Sequence, residues 1–115
     1  MKKAISDQRE HKRYAAPDGA VAACHNTVCR ITDISEGGMA LNCIGNEPFS
    51  GEDNPTILCR KKGFFIGDLP IRLVRKTSEA LIPLSAFRIE TVGVIFDYKN
   101  AAQRNQIRAY IAGLS

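Results

Sequence analysis

The chain has 115 residues, 16 Lys and Arg against 12 Asp and Glu, a formal charge of +4 and 44% hydrophobic content. That length supports one compact core and is too short for two, and the composition is that of a soluble globular protein. No apolar run approaches the roughly 20 residues that a membrane-spanning helix needs, and the positive balance favours anionic partners.

Residues 1–15 are polar and highly charged, with Ile5 and Tyr14 as the sizeable apolar side chains. They read as a flexible basic N-terminal arm that ends at the turn signal Pro17-Asp18-Gly19, and residues 16–115 then form the folded domain. Lys2 and Lys3 are followed by no apolar stretch, so a secretory signal is not expected and the cytoplasm is the expected location. Without export, the four cysteines (Cys24, Cys29, Cys43 and Cys59) are expected as buried reduced thiols. Cys24, His25 and Cys29 lie close in sequence, but no CxxC pair is present. Cys24 and His25 would also face opposite sides of a strand, so no metal site is expected.

Residues 20–24 are small and apolar, His25-Asn26 suits a turn, and residues 27–34 carry partly alternating apolar side chains. The two runs predict a hairpin. Gly37-Gly38 breaks the pattern and residues 39–44 resume it, with Met39 and Leu41 expected in the core. Residues 45–55 read as a loop and residues 56–60 as a short strand. Lys61-Lys62-Gly63 turns the chain into residues 64–69, and Pro70 suits an edge or bulge before the strand at 71–75. The strand signal weakens near residues 78–85, where Pro83 argues for a connection, and residues 87–97 form the last long strand or strand pair. Phe64, Phe65, Phe87 and Phe96 are expected in the core.

The period then changes. Ile107, Tyr110, Ile111 and Leu114 recur at helical spacing, which predicts a helix over residues 101–114 with Asn100 as its N-cap. Gln103, Arg104 and Arg108 are expected to face away from that stripe. The architecture is therefore mainly β, several short antiparallel strands closed by one C-terminal helix.

Two short patterns carry the chemistry. Arg9-Glu10-His11-Lys12-Arg13 places two arginines four apart, and Asp33-Ile34-Ser35-Glu36-Gly37-Gly38 reads DxSxxG at a strand end. Alone, the first can be a solvated basic arm. The second can be a turn in which Asp and Ser cap backbone amides and Gly supplies positive φ. The hairpin links them, because its second strand returns toward residues 17–19 and the root of the arm. Such a cluster suits a guanine dinucleotide. An arginine fork can grip a phosphate or the O6 and N7 of guanine, or stack on its face. Asp33 can accept guanine N–H groups, Ser35 can donate to a phosphate, and Gly37 and Gly38 let backbone amides approach the ligand.

In these motifs, in their order and in Gly93-Val94-Ile95-Phe96 followed by a helix, the chain from Gln8 to Leu114 resembles the PilZ family. The resemblance implies a six-stranded split β-barrel that binds cyclic di-GMP. It places Arg9 and Arg13 on phosphates and guanine edges and Asp33 on a guanine. Ser35, Gly37 and Gly38 would shape the pocket, and Gln8 would influence ligand stoichiometry. The arm is then expected to order around the ligand and present a new surface to a protein partner. The alternative is a PilZ-fold interaction module that binds no nucleotide. A single-stranded nucleic-acid binder would need exposed aromatic side chains on its strands, so no nucleic acid is expected as a partner. Catalysis is not expected either, since no nucleophile–base pair is suggested. His11 lies in the arm and His25 in a turn.

Overall fold

A computed structural model describes residues 12–24, 27–45, 49, 54–80 and 88–114. Gln8, Arg9, His11, His25 and Phe87 lie outside these residues, as do most of the expected arm and the connection around Pro83. The described strands are β1 (Tyr14–Ala15), β2 (Ala20–Ala23), β3 (Val28–Ile34), β4 (Gly38–Gly45), β5 (Thr56–Cys59), β6 (Phe64–Ile66), β7 (Ile71–Ala80) and β8 (Arg88–Phe96). Among the described residues one α-helix, α1 (Ala101–Ala112), follows β8.

All the strands belong to one antiparallel sheet in the order β6-β5-β2-β3-β4-β8-β7. β1 pairs with β3 beyond the stretch that β2 occupies, so β1 and β2 lie end to end along one side of β3. Between them Pro17-Asp18-Gly19 turns the chain: Gly19 has φ 91° and the Ala20 amide donates to the Pro17 carbonyl. Glycine fits there because a Cβ disfavours the left-handed region. β6 and β7 are the two ends of the path and do not pair with each other. The barrel is thus split. Among the described residues eight strands stand where six were expected, since β1 and β6 are short separate segments of two and three residues.

Alternation decides the inner face. Ala20 and Ala22 of β2, Cys29 and Ile31 of β3, and Met39, Leu41 and Cys43 of β4 are buried together with Ile57, Val92, Val94 and Phe96. Helix α1 closes the core beside β6, burying Ile107 and stacking Tyr110 on Phe64 with ring centroids 4.2 Å apart. Burial holds the Tyr110 hydroxyl well above its usual range, with the neighbouring Cys59 adding to the effect. The expected N-cap is present, because the Asn100 side chain accepts from the Gln103 amide.

Four expectations are corrected. Gln103 does not face away. It is buried, accepts from the Lys99 amide and donates to the Asp68 carbonyl, locking the start of α1 onto the 67–68 turn. Phe65 is 60% exposed, because on edge strand β6 it alternates with Phe64 and Ile66, which turn inward. Strand β7 continues to Ala80, where the local signal was fading, because β8 pairs with it along that whole length. Finally, Cys29 and Cys43 form a disulfide rather than two thiols. Arg30 pairs with Asn42 across β3 and β4, so one step further Cys29 stands opposite Cys43 with Cα atoms 4.5 Å apart, within reach of a disulfide. The pairing also removes Cys29 from any cysteine–histidine metal set.

Candidate functional site

The turn between β3 and β4 carries the DxSxxG segment, and β1 brings the end of the arm against it. Tyr14 pairs with Ile34 and Ala15 with Asp33. Arg13, one residue before β1, therefore arrives beside Asp33. Its Nη2 lies 2.6 Å and its Nε 2.8 Å from Asp33 Oδ1. Both contacts fall on the same oxygen. The side chains remain 20% and 35% exposed, so the pair sits at a rim that a solute can reach. Gln8 and Arg9 lie outside the described residues.

Ser35 turns inward. It is buried, and its Oγ accepts from the Gly37 and Gly38 amides at 3.2 Å each. Its own amide donates to the Gly38 carbonyl at 2.8 Å, which closes the turn. The hydroxyl thus shapes the turn from beneath. Gly38 serves a different need from the positive φ that a turn glycine usually supplies. The positive-φ glycines among the described residues are Gly19 and Gly63. At Gly38 a Cβ would lie 2.1 Å from the Val94 carbonyl oxygen, so glycine permits β4 to start tight against β8. The Gly37 carbonyl in turn accepts from the Phe96 amide at 2.9 Å.

Sequence reasoning missed a second set of residues that hold this turn from the C-terminal side. Arg108 of α1 donates to Glu36 at 2.7 Å, and the Tyr98 hydroxyl donates to the Glu36 carbonyl. Burial, reinforced by the Glu36 charge, pushes the Tyr98 hydroxyl up to about 12. Arg104 lies over the Tyr98 ring at 5.3 Å. The motif turn is therefore held by Arg13 on one side and by the helix on the other. The spacing of Arg104 and Arg108 on the polar side of the helix was visible, but nothing local says which turn that side meets.

A comparison with protein families matches the PilZ domain over residues 7–113, nearly the whole chain. The chain belongs to the PilZ family. No curated protein matches it. Among solved structures, the complex of MrkH from K. pneumonia with c-di-GMP has a TM-score of 0.69 at 17% identity, covering 94% of this chain and 52% of that one. A second structure of MrkH, described as a c-di-GMP-dependent transcription regulatory factor, has a TM-score of 0.67 at 16% identity, covering 93% and 51%. The PilZ domain of YcgR from Escherichia coli with c-di-GMP has a TM-score of 0.66 at 15% identity, covering 94% and 92%. This chain spans about half the length of the MrkH chains, and at these identities the likeness concerns the fold. Within the PilZ fold, Arg13, Asp33, Ser35, Gly37 and Gly38 gather around one turn at the start of β4.

Proposed function

We propose that this PilZ protein is a cyclic di-GMP receptor that acts by binding, without catalysis, in the cytoplasm. The supporting observation is the meeting of Arg13 and Asp33 at a partly exposed rim beside a glycine turn. An arginine fork supplies donors for phosphate or for guanine O6 and N7, and Asp33 supplies an acceptor for the guanine N–H groups. Both Arg13 contacts fall on Oδ1, so among the described residues Oδ2 of Asp33 is left for the base. The matched family and the c-di-GMP complexes of MrkH and YcgR support the same ligand.

Magnitudes favour an exchange of partners at this rim. A micromolar ligand is held by about 8 kcal/mol. The half-buried Arg13–Asp33 pair contributes on the order of 1–3 kcal/mol, well below that total, so a ligand can displace Arg13 from Asp33. Arg9 and Arg13 then clamp the ligand, the arm orders around it, and the ordered arm offers a protein partner a surface that the free protein lacks. Gln8, before the first arginine, bears on how many ligand molecules are held.

Isothermal titration of the full chain with cyclic di-GMP tests this reading. Binding by the wild type, and its near loss in Arg13→Ala and in Asp33→Ala, is the expected result. The second reading, an interaction module that takes no nucleotide, is favoured by the same ion pair, which satisfies both motif residues without a ligand. A folded wild type that takes up no cyclic di-GMP would decide for it. Hydrogen exchange addresses the arm separately: residues 5–15 should gain protection on ligand addition, and equal protection in both states would remove the ordering step.

A further inference from the structure

Outward-facing positions beside the rim define a floor that no motif residue supplies. Residues directly opposite in an antiparallel ladder share a face of the sheet. Such a row runs from Asp33 on β3 to Ala40 on β4, Gly93 on β8 and Arg75 on β7. The neighbours of Ala40 and Gly93 along their strands, Met39, Leu41, Val92 and Val94, are core residues, which puts this row on the outer face. Its two middle members are among the smallest side chains in the alphabet. Asp33 and Arg13 stand on one side of them and Arg75 on the other.

Arg75 lies down over the floor. A Cβ placed on Gly93 would lie 3.2 Å from both Cγ and Cζ of Arg75 and 3.4 Å from its Nη1. The side chain missing at Gly93 is the space that the guanidinium crosses. The register shift between Leu73 and Arg75 marks a bulge, a device that re-aims a side chain next to a site. Its neighbour Arg72 faces Asp97 at 3.8 Å, whereas Arg75 forms no ion pair among the described residues.

We propose that Arg75 is a further specificity-determining residue of the ligand site. Its fork, lying over Gly93, takes O6 and N7 of a guanine laid flat over Ala40, while Asp33 takes the N–H groups on the base's other edge. This inference rests on the cyclic di-GMP reading above. With strands about 4.8 Å apart, Asp33 and Gly93 stand on the order of 10 Å from each other, room for one purine between the Asp33 carboxylate and the Arg75 guanidinium over Gly93. Guanine offers acceptors at O6 and N7, which match the donors of arginine. Adenine carries an amino group in place of O6, which would meet the guanidinium donor to donor. The site therefore selects guanine over adenine.

The test is calorimetric titration of the full chain with cyclic di-GMP and with cyclic di-AMP, on the wild type, Arg75→Ala, Arg75→Lys and Gly93→Ala. Arg75→Ala should weaken cyclic di-GMP binding by about tenfold or more, the usual worth of a bidentate arginine–guanine contact. It should also narrow the preference over cyclic di-AMP. Arg75→Lys should not restore binding, because an ammonium has no planar fork. Gly93→Ala, whose methyl would lift Arg75 off the floor, should weaken binding in the same direction. Thermal melts matching the wild type would show that the variants fold. Wild-type binding with Arg75→Ala within about twofold of it would overturn the inference and leave the receptor reading intact. So would full restoration by lysine, since charge alone would then suffice. A wild type that binds neither dinucleotide would sink the receptor reading and this inference together.

Discussion

Gly38 shows how a single residue in a ligand motif can be required by the fold. The sequence marks it as a place where backbone approaches a ligand, yet the nearest constraint is the Val94 carbonyl, 2.1 Å from a Cβ built there. That obstacle is backbone and cannot swing aside. Gly38→Ala is therefore expected to destabilise the fold by about 3 kcal/mol, at the upper end of overpacking costs. Gly45, at the other end of the same strand, has nothing within 4 Å of its Cβ position and no positive φ. There alanine only narrows the unfolded ensemble, so Gly45→Ala should be neutral or stabilising by up to about 1 kcal/mol. Urea denaturation of both variants measures the contrast, and equal effects would refute the strand-approach reading. Ser35 shares this double character: DxSxxG was legible as a site, but its burial and its two bonds to the Gly37 and Gly38 amides assign the hydroxyl to the turn.

Among the elements, α1 was the most legible and its docking the least. The helical spacing of Ile107, Tyr110 and Ile111 and the Asn100 cap are local features, and both appear in the structure. The docking partners are not local. Gln103 is buried because the 67–68 turn presents carbonyls to it, and Arg108 finds Glu36, far earlier in the chain. The Tyr98 hydroxyl, donating to the Glu36 carbonyl, titrates near 12 rather than 10. The folded state therefore holds this proton more tightly than the unfolded chain does. Its contribution to stability is complete below pH 10 and is lost as pH rises toward 12. Melting temperature measured from pH 9 to 12 should fall more steeply for the wild type than for Tyr98→Phe, which has no proton to lose. Parallel curves would show that the hydroxyl makes no such contribution.

For the whole molecule, the Cys29–Cys43 disulfide joins adjacent central strands across a separation of 14 residues. Cross-linking a loop of that size stabilises by about 3 kcal/mol on a chain-entropy estimate. Reduction should lower the melting temperature, and thiol titration of the unfolded protein should find two groups before reduction, Cys24 and Cys59, and four after it. Four thiols in the unreduced protein would restore the original expectation. That expectation weighed redox compartment alone, whereas the β3–β4 register, which is not legible locally, brings Cys29 and Cys43 within bonding reach. Much was settled by neighbours in sequence: the strand runs, the first hairpin, the helix with its cap, and the two motifs that placed the chain in its family. Alternation, capping and charge act over a few residues, so they can be read without knowing the fold. Tertiary structure alone decided that β7 runs to Ala80, that Phe65 faces outward, that Gly38 makes room for Val94, and that Arg75 lies across Gly93. Each depends on which distant strand supplies the opposing atoms, and a ladder's register is set only when the sheet closes around its core.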